Sequence, residues 1–131
     1  MASIFTKIIK GEIPCYKIAE NERFFAFLDI NPLTKGHTLV IPKQEIDYIY
    51  DLDDTTLSDL HLFAKKVAKA IEKTVTCKRI AVAVIGMEVP HAHIHLIPIN
   101  KETDVLFTNP RAIFSSVEMT ALAKEINLKL D

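Results

Sequence analysis

Three histidines at alternating positions are the residues of this sequence best suited to chemistry. They are His91, His93 and His95, three of the five histidines in 131 residues, and apolar residues fill the gaps between them. This alternation predicts a strand over residues 91–98, on which side chains two positions apart share one face at a spacing of about 7 Å. Because imidazole titrates near neutral pH, such a row supplies hydrogen-bond donors, acceptors and nucleophiles.

Two other interpretations of the histidine row stay open, a solvated polar face and a metal site. Histidine is the commonest metal ligand, yet three successive positions on one face extend far for a tetrahedral zinc ion. Glu88 is the one nearby acid with ligand-like spacing. We therefore expect chemistry that needs neither a metal nor another cofactor.

The composition limits the class of protein. A formal net charge of -1 without a basic block argues against a nucleic-acid partner, and no apolar run approaches membrane-spanning length. The N-terminus lacks the apolar core of a signal peptide. Cys15 and Cys77 lie far apart and fit no CxxC pattern, which favours reduced thiols in the cytoplasm. The length predicts a single domain over residues 1–131.

The elements that would position the histidines follow from periodicity and turn residues. The pattern predicts a helix over 3–10, a hairpin of strands at 16–20 and 23–28, a strand starting at His37, a helix over about 55–75, a strand over 79–85, a loop over 100–114 and a helix from about 115 to 128. The run at 79–85 is nearly all apolar and β-branched, which indicates a central strand buried on both faces. The predicted fold is α+β, with an antiparallel sheet of about five strands, a long central helix and a C-terminal helix.

The sequence resembles the histidine triad (HIT) family in several blocks. The triad itself is HAHIHLI at 91–97, and upstream blocks are IFTKII at 4–9, EIP at 12–14, FAFLDINP at 25–32 and GHTLVIPK at 36–43. These blocks follow the family's order over residues 3–99, and the chain looks most similar to the small, single-domain, Hint-like branch. The resemblance implies a hydrolase or transferase that cleaves at the α-phosphorus of nucleoside phosphoramidates or dinucleoside polyphosphates.

The resemblance also implies roles for particular residues. His93 would be the nucleophile that forms a covalent nucleotidyl-imidazole, and His95 would contact the phosphate or leaving group. His91 and His37 would complete the polar network behind them. The remaining set would bind a purine nucleotide: Asp29 at the ribose, Ile4, Phe5, Ile8, Phe27, Leu28 and Ile30 around the base, and Glu88 beside the phosphate. Structural alternatives stay open, since Asp29 could cap its loop, His37 could only orient the triad, and the apolar set could be core.

The sequence departs from the family's pattern at two places. Many relatives carry a CxxC pair near the N-terminus that helps hold zinc, whereas residues 3–6 here are Ser-Ile-Phe-Thr. The loop before the triad is shortened to Gly86, Met87 and Glu88, without the usual Gln. The resemblance implies a homodimer joined through the strand at 79–85. An intact triad favours an enzyme, while the altered loop favours a nucleotide-binding protein with vestigial catalysis, and a metal-binding module is a third alternative.

Overall fold

The computed structural model describes residues 2–131 and contains three α-helices and five strands in that part of the chain. The elements are α1 (Ile4–Ile9), β1 (Lys17–Glu20), β2 (Phe24–Leu28), β3 (Thr38–Pro42), α2 (Asp54–Thr74), β4 (Arg79–Ala83), β5 (Ile94–Ile99) and α3 (Ser116–Leu128), with 3-10 turns at Ile49–Asp51 and Glu102–Val105. The predicted α+β fold is therefore confirmed. Asp53 caps α2, because its side chain accepts a hydrogen bond from the backbone N–H of Thr56.

The five strands form one antiparallel sheet in the order β1-β2-β3-β5-β4. Its two faces bury different sets of side chains, since side chains alternate along each strand. On β2, Phe24, Ala26 and Leu28 join the large core beneath α2 and α3. Phe25 and Phe27 point to the opposite face and pack with Phe5 of α1. The histidines of the triad belong to this second, thinner side of the sheet.

The strand predicted at 79–85 is present, but it is two residues shorter than predicted and is not the central strand of the sheet. The paired segment β4 ends at Ala83 and lies at the edge of the sheet, with β5 on one side and no strand on the other among the described residues. Val82 is 61% exposed, and Val84 and Ile85 beyond the strand are also exposed. An apolar, β-branched run does not distinguish a central strand from an edge strand.

The histidine segment also differs from the prediction. The ladder of β5 begins at Ile94, so His91 and His93 precede it, and the strand continues through Pro98 to Ile99. The backbone N–H of His91 donates to the Val89 carbonyl, and that of Ala92 donates to the Ile46 carbonyl. These bonds to loop carbonyls replace the strand ladder at this point. The segment at 100–114 is likewise not wholly loop, because it contains the 3-10 turn Glu102–Val105.

No helix in the described part of the chain is long and apolar enough to cross a membrane. Cys15 and Cys77 are both free thiols.

Candidate active site

A cleft of about 510 Å³ opens on the α1 side of the sheet, a volume typical of small-molecule sites. His93 and His95 line it, and their ring centroids are 5.0 Å apart. This separation is shorter than the spacing of alternate residues on a strand, and His93 lies before the start of β5. Both side chains are more than nine-tenths buried.

One hydrogen bond of His93 defines which of its ring nitrogens carries the lone pair. Its Nδ1–H donates to the backbone carbonyl of His91 at 2.7 Å. In the neutral ring Nε2 then carries a lone pair. Nε2 has no partner within residues 2–131, yet those residues contain no fully buried side-chain nitrogen or oxygen without a hydrogen bond. The lone pair is therefore accessible from the cleft.

His95 differs from His93 in which ring nitrogen carries the proton. The backbone N–H of Leu33 donates to His37 Nδ1 at 3.0 Å, so the proton of neutral His37 sits on Nε2. That Nε2–H donates to His95 Nδ1, also at 3.0 Å. His95 must then carry its own proton on Nε2. The cleft consequently contains a nitrogen lone pair on His93 beside an N–H donor on His95.

Burial keeps His37 and His95 uncharged at neutral pH. Desolvation, with smaller contributions from His95 and Arg111, lowers the pKa of His37 to about 3. Desolvation, with smaller contributions from His93 and Arg111, lowers the pKa of His95 to about 4. His37 Nε2 also lies 3.6 Å from an Asp29 oxygen, but a neutral ring makes this contact dipolar and not ionic.

Charged side chains surround the two rings. Asp29 and Glu88 line the cleft, and Arg111 is the one Lys or Arg among its described lining residues. Burial raises the pKa of Asp29, Glu88 raises it further, and the Asn31 backbone N–H, Arg111 and His93 lower it. Asp29 also accepts the Asn31 N–H at 2.8 Å, so it caps its loop while it faces the cleft. Glu88 is exposed at the rim.

Five of the six predicted apolar residues line the cleft, namely Ile4, Phe5, Ile8, Phe27 and Ile30. Leu28 does not, because its neighbour Phe27 faces the cleft and alternation turns Leu28 into the core beneath α2. The predictions for Phe27 and Leu28 were thus incompatible on one strand. Ile30, which follows β2 in the loop, is 71% exposed at the opening.

The structure separates His91 from the other two histidines of the row. His91 is fully buried and does not line the cleft; its Nε2–H donates to the Pro42 carbonyl at 2.8 Å. Its Nδ1 lies 2.8 Å from the hydroxyl of Ser3. His37 is also fully buried; it does not line the cleft itself but contacts the lining residues His95 and Asp29. Both residues lie behind the cleft histidines.

Sequence reasoning missed Phe107 and Arg111, which come from the segment after β5. The Phe107 ring lies 5.0 Å from that of His95, and the Arg111 guanidinium lies over Phe107 at 5.5 Å. Arg111 also donates to the Asn31 carbonyl at 2.7 Å. Periodicity gives no signal for such residues, but an arginine beside an aromatic residue downstream of the triad was a usable clue.

Neither of two candidate groups in the described part of the chain fits a bound metal. Where relatives carry the CxxC pair, Ser3 and Thr6 offer neutral hydroxyls, and the Ser3 hydroxyl already bonds to His91. Asp29, His37 and His95 form another group with potential ligand atoms within 4.8 Å. In that group His37 accepts the Leu33 N–H at Nδ1, so the Nε2 that faces the group carries a proton and has no free lone pair.

Comparisons with known proteins identify the family of the chain. The model of the HIT domain family matches residues 10–102. The chain is 39% identical to an adenosine 5'-monophosphoramidase of Schizosaccharomyces pombe, over 99% of both chains. It is also similar to the crystal structure of a Hit-like protein involved in cell-cycle regulation from Bartonella henselae (TM-score 0.84, 33% identity, 98% and 96% of the two chains). A zinc-bound histidine triad family protein from Mycobacterium smegmatis has the same TM-score at 25% identity (98% and 93%).

The chain therefore belongs to the HIT family. The prediction of a HIT-type enzyme is confirmed by the Schizosaccharomyces pombe relative, which matches the chain over almost its whole length.

Proposed function

We propose that this protein hydrolyses nucleoside 5'-phosphoramidates, with adenosine 5'-monophosphoramidate as the leading substrate. The observation that carries the proposal is the accessible lone pair on His93 Nε2, fixed by the Nδ1–H bond to the His91 carbonyl. The name of the similar fission-yeast protein supports the substrate class. Dinucleoside polyphosphates are the other substrate class expected.

In the proposed reaction His93 Nε2 attacks the α-phosphorus, and the bond from phosphorus to the leaving group breaks. Water then attacks the nucleotidyl-histidine and releases the nucleoside monophosphate. The His95 Nε2–H stabilises a phosphoryl oxygen by a hydrogen bond. Because the pKa of His95 is lowered to about 4, this ring donates a hydrogen bond as a neutral group.

Binding of the nucleotide is assigned to the rest of the cleft. The apolar lining that includes Ile8, Phe27 and Ile30 would hold the purine base. The Asp29 carboxylate would accept hydrogen bonds from the ribose hydroxyls. Arg111, the single Lys or Arg among the described lining residues, would face the phosphate. Its Asn31 contact uses one of five guanidinium N–H donors, which leaves others for a ligand.

The test is release of AMP from adenosine 5'-monophosphoramidate and diadenosine polyphosphates, measured for the wild type, His93→Ala and His61→Ala. His61 is an exposed histidine of α2 and serves as the matched control. We expect His93→Ala to lose several orders of magnitude in kcat, as deletion of a covalent nucleophile does, while His61→Ala keeps full activity. Wild-type protein that binds AMP without releasing it from any substrate would favour the vestigial nucleotide-binding protein instead.

We further propose a homodimer formed through β4. This edge strand exposes Val82, and the apolar residues Val84 and Ile85 continue the exposed surface. Edge strands of this kind pair readily with another chain. A dimeric mass by light scattering at micromolar concentration is expected, and it should become monomeric in Val82→Lys. A monomeric wild type would contradict the proposal.

The two free thiols also support the proposed cytoplasmic location.

A further inference from the structure

A second hydrogen-bonded group lies outside the cleft, at the start of α1. The carboxylate of Glu45 accepts the backbone N–H of Ser3 and the hydroxyl of Thr6, both at 2.6 Å. The Ser3 hydroxyl accepts the backbone N–H of Thr6 at 3.0 Å and so caps α1. Ser3, Thr6 and Glu45 are called the N-terminal clamp below. Ser3 is buried.

The directions of these bonds fix the state of His91. Its Nε2–H donates to the Pro42 carbonyl, so Nδ1 of the neutral ring is an acceptor. The Ser3 hydroxyl lies 2.8 Å from Nδ1 and 3.3 Å from the Thr6 hydroxyl. The Ser3 hydroxyl can donate only one hydrogen bond. Because His91 Nδ1 is the closer acceptor and carries no proton of its own, the hydroxyl donates to Nδ1. The clamp thus satisfies the second ring nitrogen of a fully buried side chain.

The same histidine holds the proposed nucleophile. The backbone carbonyl of His91 accepts the Nδ1–H of His93 at 2.7 Å, which leaves His93 Nε2 unprotonated. Helix α1 also carries Phe5, whose ring centroid lies 5.0 Å from that of His93. An anchored His91 and an anchored α1 therefore contact His93 from two directions.

We propose that the N-terminal clamp positions His93 for catalysis, by anchoring the His91 ring and, through it, the carbonyl that selects the His93 tautomer. Ser3, Thr6 and Glu45 are positioning residues, since none of them lines the cleft. This inference rests on the proposed nucleophilic role of His93. It also gives the Ser-Ile-Phe-Thr segment a function of its own, in which hydrogen bonds hold together the start of α1, Glu45 in the loop after β3, and the triad.

The chain offers a matched control for helix capping. Ser115 caps α3 in the same way, because its hydroxyl accepts the backbone N–H of Glu118 at 3.1 Å. Ser115→Ala removes an equivalent cap without touching a histidine. Ser3→Ala removes both a cap and the bond to His91. A larger loss in Ser3→Ala than in Ser115→Ala therefore reports on the bond to His91 together with the anchoring of α1, whose Phe5 contacts His93.

Glu45 offers a conservative pair of variants. A single oxygen, Oε1, accepts both clamp bonds, so the amide oxygen of Glu45→Gln can accept both as well. Glu45→Ala removes them. If the clamp acts through these hydrogen bonds, the glutamine variant should rescue most of the loss seen in the alanine variant.

The experiment measures kcat and KM for AMP release and records the 15N spectrum of the histidine rings in each variant. For Ser3→Ala we expect kcat to fall roughly ten-fold against Ser115→Ala while KM changes less than about two-fold, the size of effect that loss of one buried hydrogen bond produces. The spectrum should show His93 as the Nδ1–H tautomer in the wild type and a mixture of tautomers in Ser3→Ala.

Two outcomes would overturn the clamp. One is equal kcat in Ser3→Ala and Ser115→Ala with the His93 tautomer unchanged. The other is a loss of kcat that Glu45→Gln and Glu45→Ala share equally. If wild-type protein releases no AMP from any substrate, the proposed function fails, and the 15N spectra still decide whether the clamp sets the His93 tautomer.

Discussion

Arg111 is the residue whose removal tests the electrostatics of the cleft most directly. It is the single Lys or Arg among the described lining residues, and it shares the cleft with the carboxylates of Asp29 and Glu88. Arg111→Met would leave two acids and no cation facing the phosphate of a nucleotide. Arg111→Lys would keep the charge but lose the planar guanidinium that lies over Phe107.

The size of the effect follows from Coulomb's law. Two unit charges about 6 Å apart interact by ~0.7 kcal/mol in water and by ~3 kcal/mol at an effective dielectric constant near 20. These limits correspond to about 3-fold and about 100-fold in kcat/KM. Arg111 is half-buried, between the two limits. We therefore expect Arg111→Met to lower kcat/KM about ten-fold at low salt, with less loss at high salt because the charge is screened.

The assay is AMP release at two salt concentrations for Arg111→Met, Arg111→Lys and Arg23→Met. Arg23 lies over Phe24 at 5.2 Å on another surface, so its variant controls for the loss of a stacked arginine. We expect Arg111→Lys to retain most activity and Arg23→Met to match the wild type. Wild-type kcat/KM in Arg111→Met at low salt would refute the charge argument. So would equal losses in the lysine and methionine variants, which would indicate the guanidinium contacts instead.

Two further predictions concern the acid and the histidines of the site. Glu88→Ser should leave kcat/KM unchanged or raise it up to about three-fold, more at low salt, because an exposed carboxylate at the rim repels an anionic phosphate; a large loss of kcat would instead make the carboxylate part of the chemistry. The free energy of unfolding, measured in urea, should fall as the pH drops from 6.5 to 5. In this window the unfolded chain gains protons at His37 and His95 while the folded rings, with pKa lowered to about 3 and about 4, stay neutral, at a cost of about 1.4 kcal/mol per pH unit and ring. Carboxyl groups with a lowered pKa, such as that of Glu45 at about 2, lose their contribution to stability only below pH 4.5. An unfolding free energy that stays flat from pH 6.5 to 5 would therefore contradict the conclusion that His37 and His95 are neutral in the folded protein.

The sequence predicted those parts of the site that depend on local periodicity. Alternation placed His93 and His95 on one face, and the order of the elements predicted a five-stranded antiparallel sheet. The same rule, applied more strictly, excludes Leu28 from the cleft, because Phe27 already faces it. Here the information was present in the sequence and was misapplied.

Other parts of the site depend on contacts that no local pattern records. The bond between Ser3 and His91 joins residues 88 positions apart, and Arg111 donates to a carbonyl 80 positions upstream. The position of β4 at the sheet edge is a property of strand order, which an apolar run does not encode. These features follow from the topology that brings the start of α1, the loop after β2 and the segment after β5 to one side of the sheet.

The two cleft histidines acquire opposite polarity from backbone groups that cannot exchange their roles. The His91 carbonyl can only accept, so it requires a proton on His93 Nδ1 and leaves a lone pair at Nε2. The Leu33 N–H can only donate, so it requires a lone pair on His37 Nδ1 and, through His37, a proton on His95 Nε2. Protonation of His37 would set two donors against each other at Leu33, a cost that adds to the burial that lowers its pKa. The cleft thus presents a nitrogen lone pair beside an N–H donor, and backbone groups fix this polarity before any ligand binds.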